Sequence, residues 1–206
     1  MALNQYETDE QRAEVLIDWL KRNAGYLLLL VVVVVASIGG VEYYKHHKVQ
    51  KLNEAFDRYD TFLTTYDNEP VDLGKSAALI SENEGVYQIF SALLLAKEAH
   101  GAGDYQGAEK LLKSALTVDL NDPGLKDLIN YRLAIVQFDQ GEDQQALVTL
   151  KEIQSSEFLG LRKVLEGDIY SALGEIEDAK IAYEEALSSE VVPDDARDKL
   201  HLLSAQ

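Results

Sequence analysis

The chain has no cysteine, and only 3 prolines, 1 methionine and 1 tryptophan in 206 residues. Without cysteine there is no disulfide framework, no thiolate nucleophile and no cysteine-ligated zinc or iron–sulfur centre. Scarce proline beside 47% hydrophobic residues argues against a disordered chain. Basic residues are also few. Lys and Arg total 19 against 36 Asp and Glu, a formal net charge of -17. Such a surface repels a phosphate backbone, so nucleic acid is excluded as a partner.

The acid excess is unevenly placed. Residues 1–48 hold 5 basic and 6 acidic side chains, whereas residues 49–206 hold 14 and 30. The front of the chain is therefore a different object from the rest. From Ala24 to Val41 there are 18 residues without a charge, and Leu27 to Val35 is an unbroken Leu/Val run. At about 1.5 Å rise per residue the uncharged stretch covers roughly 27 Å, close to a hydrocarbon core of about 30 Å. Trp19 and Tyr26 at one end, and Tyr43 and Tyr44 at the other, fit interfacial anchors. A cleaved signal peptide would need a short basic leader, and the 23 residues here carry Glu7, Asp9, Glu10, Glu14 and Asp18. A buried core helix would need a polar face, which nine consecutive aliphatics lack. The expectation is one transmembrane helix over 24–44, with the lipid bilayer as a partner. Orientation stays open on charge alone, with Arg12, Lys21 and Arg22 on one side and Lys45, Lys48, Lys51 and Arg58 on the other.

Ala36, Gly39 and Gly40 put small residues where another helix can approach closely in lipid. Upstream, Thr8 to Gln11 has capping-box spacing, and Val15, Leu16, Trp19 and Leu20 share one helical face. Residues 1–23 thus read as a tail with a short amphipathic helix. Downstream, residues 45–66 read as a long helix with Leu52, Phe56, Tyr59 and Leu63 on one face, followed by a short helix near Leu73–Ser81.

Catalytic patterns are missing. The four histidines, His46, His47, His100 and His201, have no metal-ligand spacing, and no GxSxG, phosphate-loop or EF-hand pattern occurs. The reading is a protein that is not an enzyme and takes no cofactor or metal.

Internal repetition is the informative signal. Gly103, Gly141 and Gly174 are each followed five residues later by an alanine, Ala108, Ala146 and Ala179, at spacings of 38 and 33 residues. Seven residues before each glycine stands a small residue, Ala96, Ala134 or Gly167. Seven after each alanine come Ala115, Ile153 and Ala186, and four after it Leu112, Leu150 and Tyr183. Two antiparallel helices touch closely only where side chains are small, and a glycine between them turns the chain. The pattern resembles the tetratricopeptide repeat, a helix–turn–helix unit of about 34 residues. The fold expected is all-α: one N-terminal transmembrane helix, then a tetratricopeptide-like domain over 45–206. Its repeats fall at about 89–122, 127–160 and 160–193, with a capping helix over 194–206. In such repeats the first helices line a concave groove. With those helices starting near Ile89, Asp127 and Gly160, the groove positions are Phe90, Leu93 and Lys97; Leu128, Tyr131, Ile135 and Phe138; Leu161, Val164 and Asp168. Tyr131 and Phe138 are expected to make a mixed floor for an extended peptide or a partner helix.

The whole layout resembles the YfgM family, inner-membrane ancillary subunits of the Sec translocon. Tyr6 to Gln11, Trp19 to Asn23, Leu128 to Ala134, and Gly167 to Leu187 with Gly174 and Tyr183 carry the resemblance. The run Val31 to Val35 is more β-branched than the family pattern. The resemblance implies a cytoplasmic N-terminus, one span in the cell inner membrane and a periplasmic repeat domain. It implies partners: the SecYEG translocon, a membrane-anchored periplasmic prolyl isomerase, and translocating or unfolded client proteins passed on to periplasmic chaperones. The competing reading is a membrane-anchored repeat scaffold for another envelope assembly machine, or an envelope-stress regulator; a hydrolase is the third class.

Overall fold

Glycines and acids at fixed places punctuate the helices. In a computed structural model of the protein, residues 9–68, 80, 85–119 and 121–204 are described. The chain divides into two compact units, Met1–Glu54 and Ala55–Gln206. Among the described residues all regular structure is helical.

Helix α1 (Asp9–Asn68) supplies the described part of the first unit and the opening of the second. It is continuous from Asp9, so the described part of the short amphipathic helix expected in residues 1–23 runs directly into the span. Nothing between Asp9 and the span is a Gly or Pro break. Asn23 and Ser37 donate side-chain hydrogen bonds to the carbonyls of Trp19 and Val33, at 2.8 and 2.7 Å, inside the same helix. Leu28 to Val35 are exposed, each at 47% or more. A stripe of bare aliphatic side chains on that scale has no stable place in water, and a backbone bonded within its own helix suits lipid. The stretch is long and apolar enough to cross a membrane. The expected capping box at Thr8, and all but residue 80 of the short helix expected near 73–81, lie outside the described residues.

Among the described residues the second unit contains, after the end of α1, three helix pairs and a final helix. They are α2 (Val86–Gly101) with α3 (Tyr105–Leu116), α4 (Pro123–Asp139) with α5 (Asp143–Leu150), and α6 (Leu159–Leu173) with α7 (Ile176–Leu187); α8 is Ala196–Ser204. Within each pair the turn is made by Gly103, Gly141 or Gly174, at φ 79°, 78° and 78°. A side chain is strained in that left-handed region, which is why glycine recurs there. The Asp104 carboxylate accepts from Gly107 N at 2.9 Å and caps α3. Asp122 does the same for α4 through Leu125 N at 3.0 Å, with Pro123 in the first turn, where its missing N–H costs nothing.

The small-residue register is buried throughout. Ala96, Ala108 and Ala115 of the first pair, Ala134 and Ala146 of the second, and Ala179 and Ala186 of the third are at most 3% exposed. Leu112, Leu150 and Tyr183, one turn beyond the helix-B alanines, are also buried. Gly167 is a close contact: a Cβ there would stand 2.6 Å from Tyr183 Cδ1. Larger residues fill the joints between pairs. Phe62, Ile89, Leu95, Leu112 and Ile129 form one cluster from α1 through α4. Leu150, Ile153, Leu165 and Ile169 form the next, and Val164, Tyr183, Ala196 and Leu203 the last. Each buried Val, Leu, Ile or Phe among them contributes about 1.5–3 kcal/mol by leaving water.

Helix α5 has only 8 residues against 12 in α3 and α7. The chain leaves it before Ile153, and Asp127 on α4 holds Gln154 and Ser155. Its buried carboxylate accepts from Ser155 N at 2.8 Å, Ser155 Oγ at 2.6 Å and Gln154 N at 3.2 Å. These bonds satisfy backbone donors that a longer helix would otherwise have used.

Candidate partner-binding groove

The end of α1, α2 and α4 enclose a groove of about 480 Å³. Residues on one face of α2, at helical spacing, provide Phe90, Leu93, Leu94 and Lys97. Helix α4 provides Leu128, Arg132 and Ile135, each one turn from the next. Tyr59 and Leu63 on α1 close the third side. Burial raises the Tyr59 phenol pKa. Its ring stands 5.3 Å from Tyr87 and 6.3 Å from Phe90, an aromatic wall. Phe90, Lys97 and Arg132 are exposed, whereas Leu93, Leu94, Leu128 and Ile135 are half-buried. The wall is held by two polar ties. Tyr66 Oη donates to Glu98 at 2.7 Å, joining α1 to α2. His100 Nε2 and Asp139 Oδ2, 2.5 Å apart, join α2 to α4.

Five of the ten expected groove positions line this space: Phe90, Leu93, Lys97, Leu128 and Ile135. The other five do not. Tyr131 and Phe138 pack against the second cluster, with the Tyr131 ring 6.3 Å from Phe158. Burial raises the Tyr131 pKa. Tyr131 and Phe138 do not line this space. Helix α4 begins at Pro123 rather than near Asp127, and the face it turns to α2 carries Leu128, Arg132 and Ile135. Leu161 is half-buried on α6. Val164 is 5% exposed in the third cluster, and Asp168 is engaged by Tyr183 Oη at 2.8 Å and Lys199 Nζ at 2.5 Å. Helix α8 brings Lys199, Ala196 and Leu203 against this part of the third pair. This groove thus belongs to the end of α1 and the first two pairs.

Helix register would have found Arg132, four residues after Leu128. Tyr59 and Leu63 stood on a marked apolar face, but nothing local said what that face met. Among the described residues no cluster of His, Asp and Glu could hold a metal ion. The groove's lining of aliphatic, aromatic and cationic groups can bind apolar side chains and anions. Among its described lining residues no nucleophile is paired with a base. On α1, Ala36, Gly39 and Gly40 are exposed, and a Cβ added at either glycine would meet nothing within 4 Å.

Paired helices with a positive-φ glycine between them and alanines in the contact define a helical-repeat protein. A family model described as a tetratricopeptide repeat-like domain matches residues 18–200. The ancillary SecYEG translocon subunit of Haemophilus influenzae is 29% identical over 183 residues, 88% of this chain and 89% of the relative. That of Aggregatibacter actinomycetemcomitans is 30% identical over 180 residues, 86% of this chain and 88% of the relative. That of Escherichia coli is 26% identical over 189 residues, 91% of each. No solved structure matches. The chain belongs to the family of ancillary SecYEG translocon subunits, the YfgM family, within the tetratricopeptide repeat-like class.

Proposed function

We propose that this protein is a non-enzymatic, single-pass inner-membrane accessory of the Sec translocon. What most supports the reading is the similarity over nearly the whole chain to proteins named ancillary SecYEG translocon subunits. In this reading the N-terminus is cytoplasmic and the repeat domain periplasmic. The span docks against the channel through Ala36, Gly39 and Gly40, whose small side chains let a neighbouring helix come close. The repeat domain holds a segment of a client or partner in the groove between α2 and α4. It passes newly translocated chains to periplasmic chaperones, a membrane-anchored prolyl isomerase among its partners. Membrane tethering supplies a high local concentration, so individually weak contacts suffice. The acid excess of residues 49–206 keeps the domain soluble and repels other acidic surfaces.

The test is capture of the tagged full chain from native membranes in mild detergent, beside a variant whose residues 24–44 are replaced by an unrelated apolar helix. Channel subunits should be recovered with the first and reduced with the second. Recovery of a different assembly, with no channel subunit, would remove the Sec assignment.

A further inference from the structure

We infer that the groove between α2 and α4 selects apolar peptide segments that carry carboxylates. The inference rests on the proposed use of that groove as a binding site and names the chemistry of its occupant. The second unit is acidic overall, yet among the described residues that line the groove none is acidic, while Lys97 and Arg132 are both present. Some cations elsewhere in the unit are matched, while Lys110, Lys126, Lys151 and Arg197 make no ion pair among the described residues. Lys113 pairs with Glu109, Lys163 with Glu166 and Glu185, and Lys199 with Asp168 and Asp195. Lys97 and Arg132 make no ion pair among the described residues. Carboxylates on the same two helices are already engaged: Glu98 accepts from Tyr66 Oη, and Asp139 is held by His100 Nε2. Neither neutralises the groove's two cations.

The cations stand on opposite walls, each one turn from a half-buried leucine, Leu93 or Leu128. A bound chain that inserts apolar side chains between the walls therefore brings its flanking groups near the two cations. About 480 Å³ is at the small end of ligand sites and suits a few apolar side chains, not a folded surface. Carboxylates at the flanks are favoured by both cations, and lysines are opposed by both. At physiological salt the Debye length is about 8 Å, so acids elsewhere on the domain are screened while these close pairs persist. Burial of the leucines supplies the affinity, and the cations supply the choice between segments.

The full-length protein in detergent is titrated with a fluorescent leucine-rich peptide carrying glutamates, the same peptide with glutamines, and the same with lysines. The glutamate peptide should bind about 5–10-fold tighter than the glutamine peptide, consistent with two exposed charge pairs. The lysine peptide should bind most weakly. In the double variant Lys97→Gln, Arg132→Gln the glutamate peptide should bind no tighter than the glutamine peptide. Both residues are exposed, and an unchanged helical spectrum verifies folding. Leu93→Asp should weaken all three peptides. Equal binding of the three peptides, still abolished by Leu93→Asp, would overturn the charge selection and leave the groove reading intact. Absence of binding by every peptide would overturn both.

Discussion

Gly167 is where the repeat packing can be tested by a single methyl group. It lies inside α6, where alanine is ordinarily better than glycine by about 1 kcal/mol. Propensity alone therefore predicts that Gly167→Ala stabilises the protein. The contact predicts the reverse. The added Cβ would stand 2.6 Å from Tyr183 Cδ1 and 2.8 Å from Cζ. The ring cannot swing aside, because Tyr183 is 3% exposed and its hydroxyl is held by Asp168 at 2.8 Å. Overpacking a buried contact costs about 1–3 kcal/mol, and the closeness here puts it in the upper part of that range. Net of the propensity gain, the variant should lose about 1–2 kcal/mol. For a domain of this size that is a fall of about 2–8 °C in the thermal midpoint. Helical circular dichroism of the full chain in detergent measures it. Gly101→Ala is the control, since a Cβ there meets nothing within 4 Å and should be neutral or stabilising. A Tyr183→Leu background, which removes the ring, should relieve most of the Gly167→Ala penalty. If Gly167→Ala is as stable as the parent, the close contact between α6 and α7 is not what fixes this position.

Asp127→Ala should cost about 2–4 kcal/mol, because it leaves the donors of Gln154 and Ser155 without their buried acceptor; urea unfolding checks this, and Asp127→Asn should recover part of the loss. Stability should also fall in alkali. Tyr183 is raised by burial and by its bond to Asp168. Burial pulls Lys199 down, but its bonds to Asp168 and Asp195 leave it raised overall. Both groups hold their protons more tightly when folded, so their contribution is complete below about pH 10 and is lost as pH climbs through the folded values. A Tyr183→Phe, Lys199→Met variant should be less stable at pH 7 and should show a shallower alkaline decline. On the acid side, the Lys113 hydrogen bond lowers Glu109, so its contribution is present above pH 4.5 and disappears as pH falls through the lower folded value. Val33→Asp puts a charge in the middle of the uncharged stretch, at about 2.5–3.5 kcal/mol, and should cut membrane recovery on fractionation.

The fold was legible where its cause is local. A glycine that must take φ near 78° and an alanine that must fit between two helices leave a fixed interval behind them, and Gly103, Gly141 and Gly174 could be read in register. The charge-free stretch from Ala24 was equally plain. The groove was legible on α2, where Phe90, Leu93 and Lys97 follow one helical face. On α4, Leu128 and Ile135 line the same space and Tyr131 and Phe138 do not. Tyr131 and Phe138 are apolar at helical spacing too, and periodicity does not say which of two apolar faces meets the neighbouring pair. In the third pair the deciding partner, Lys199 on α8, lies 31 residues beyond Asp168. The Asp127 clamp was invisible for the same reason, since Ser155 is 28 residues away.

The role beside the channel is tested most directly by photo-crosslinking in native membranes from two positions, Gly40 in the span and Phe90 in the groove, while a secreted chain is arrested in transit. A channel subunit should be crosslinked at Gly40, and the arrested chain, or a periplasmic chaperone, at Phe90. Adducts at neither position with any of these proteins, from a chain correctly inserted in the membrane, would contradict that role.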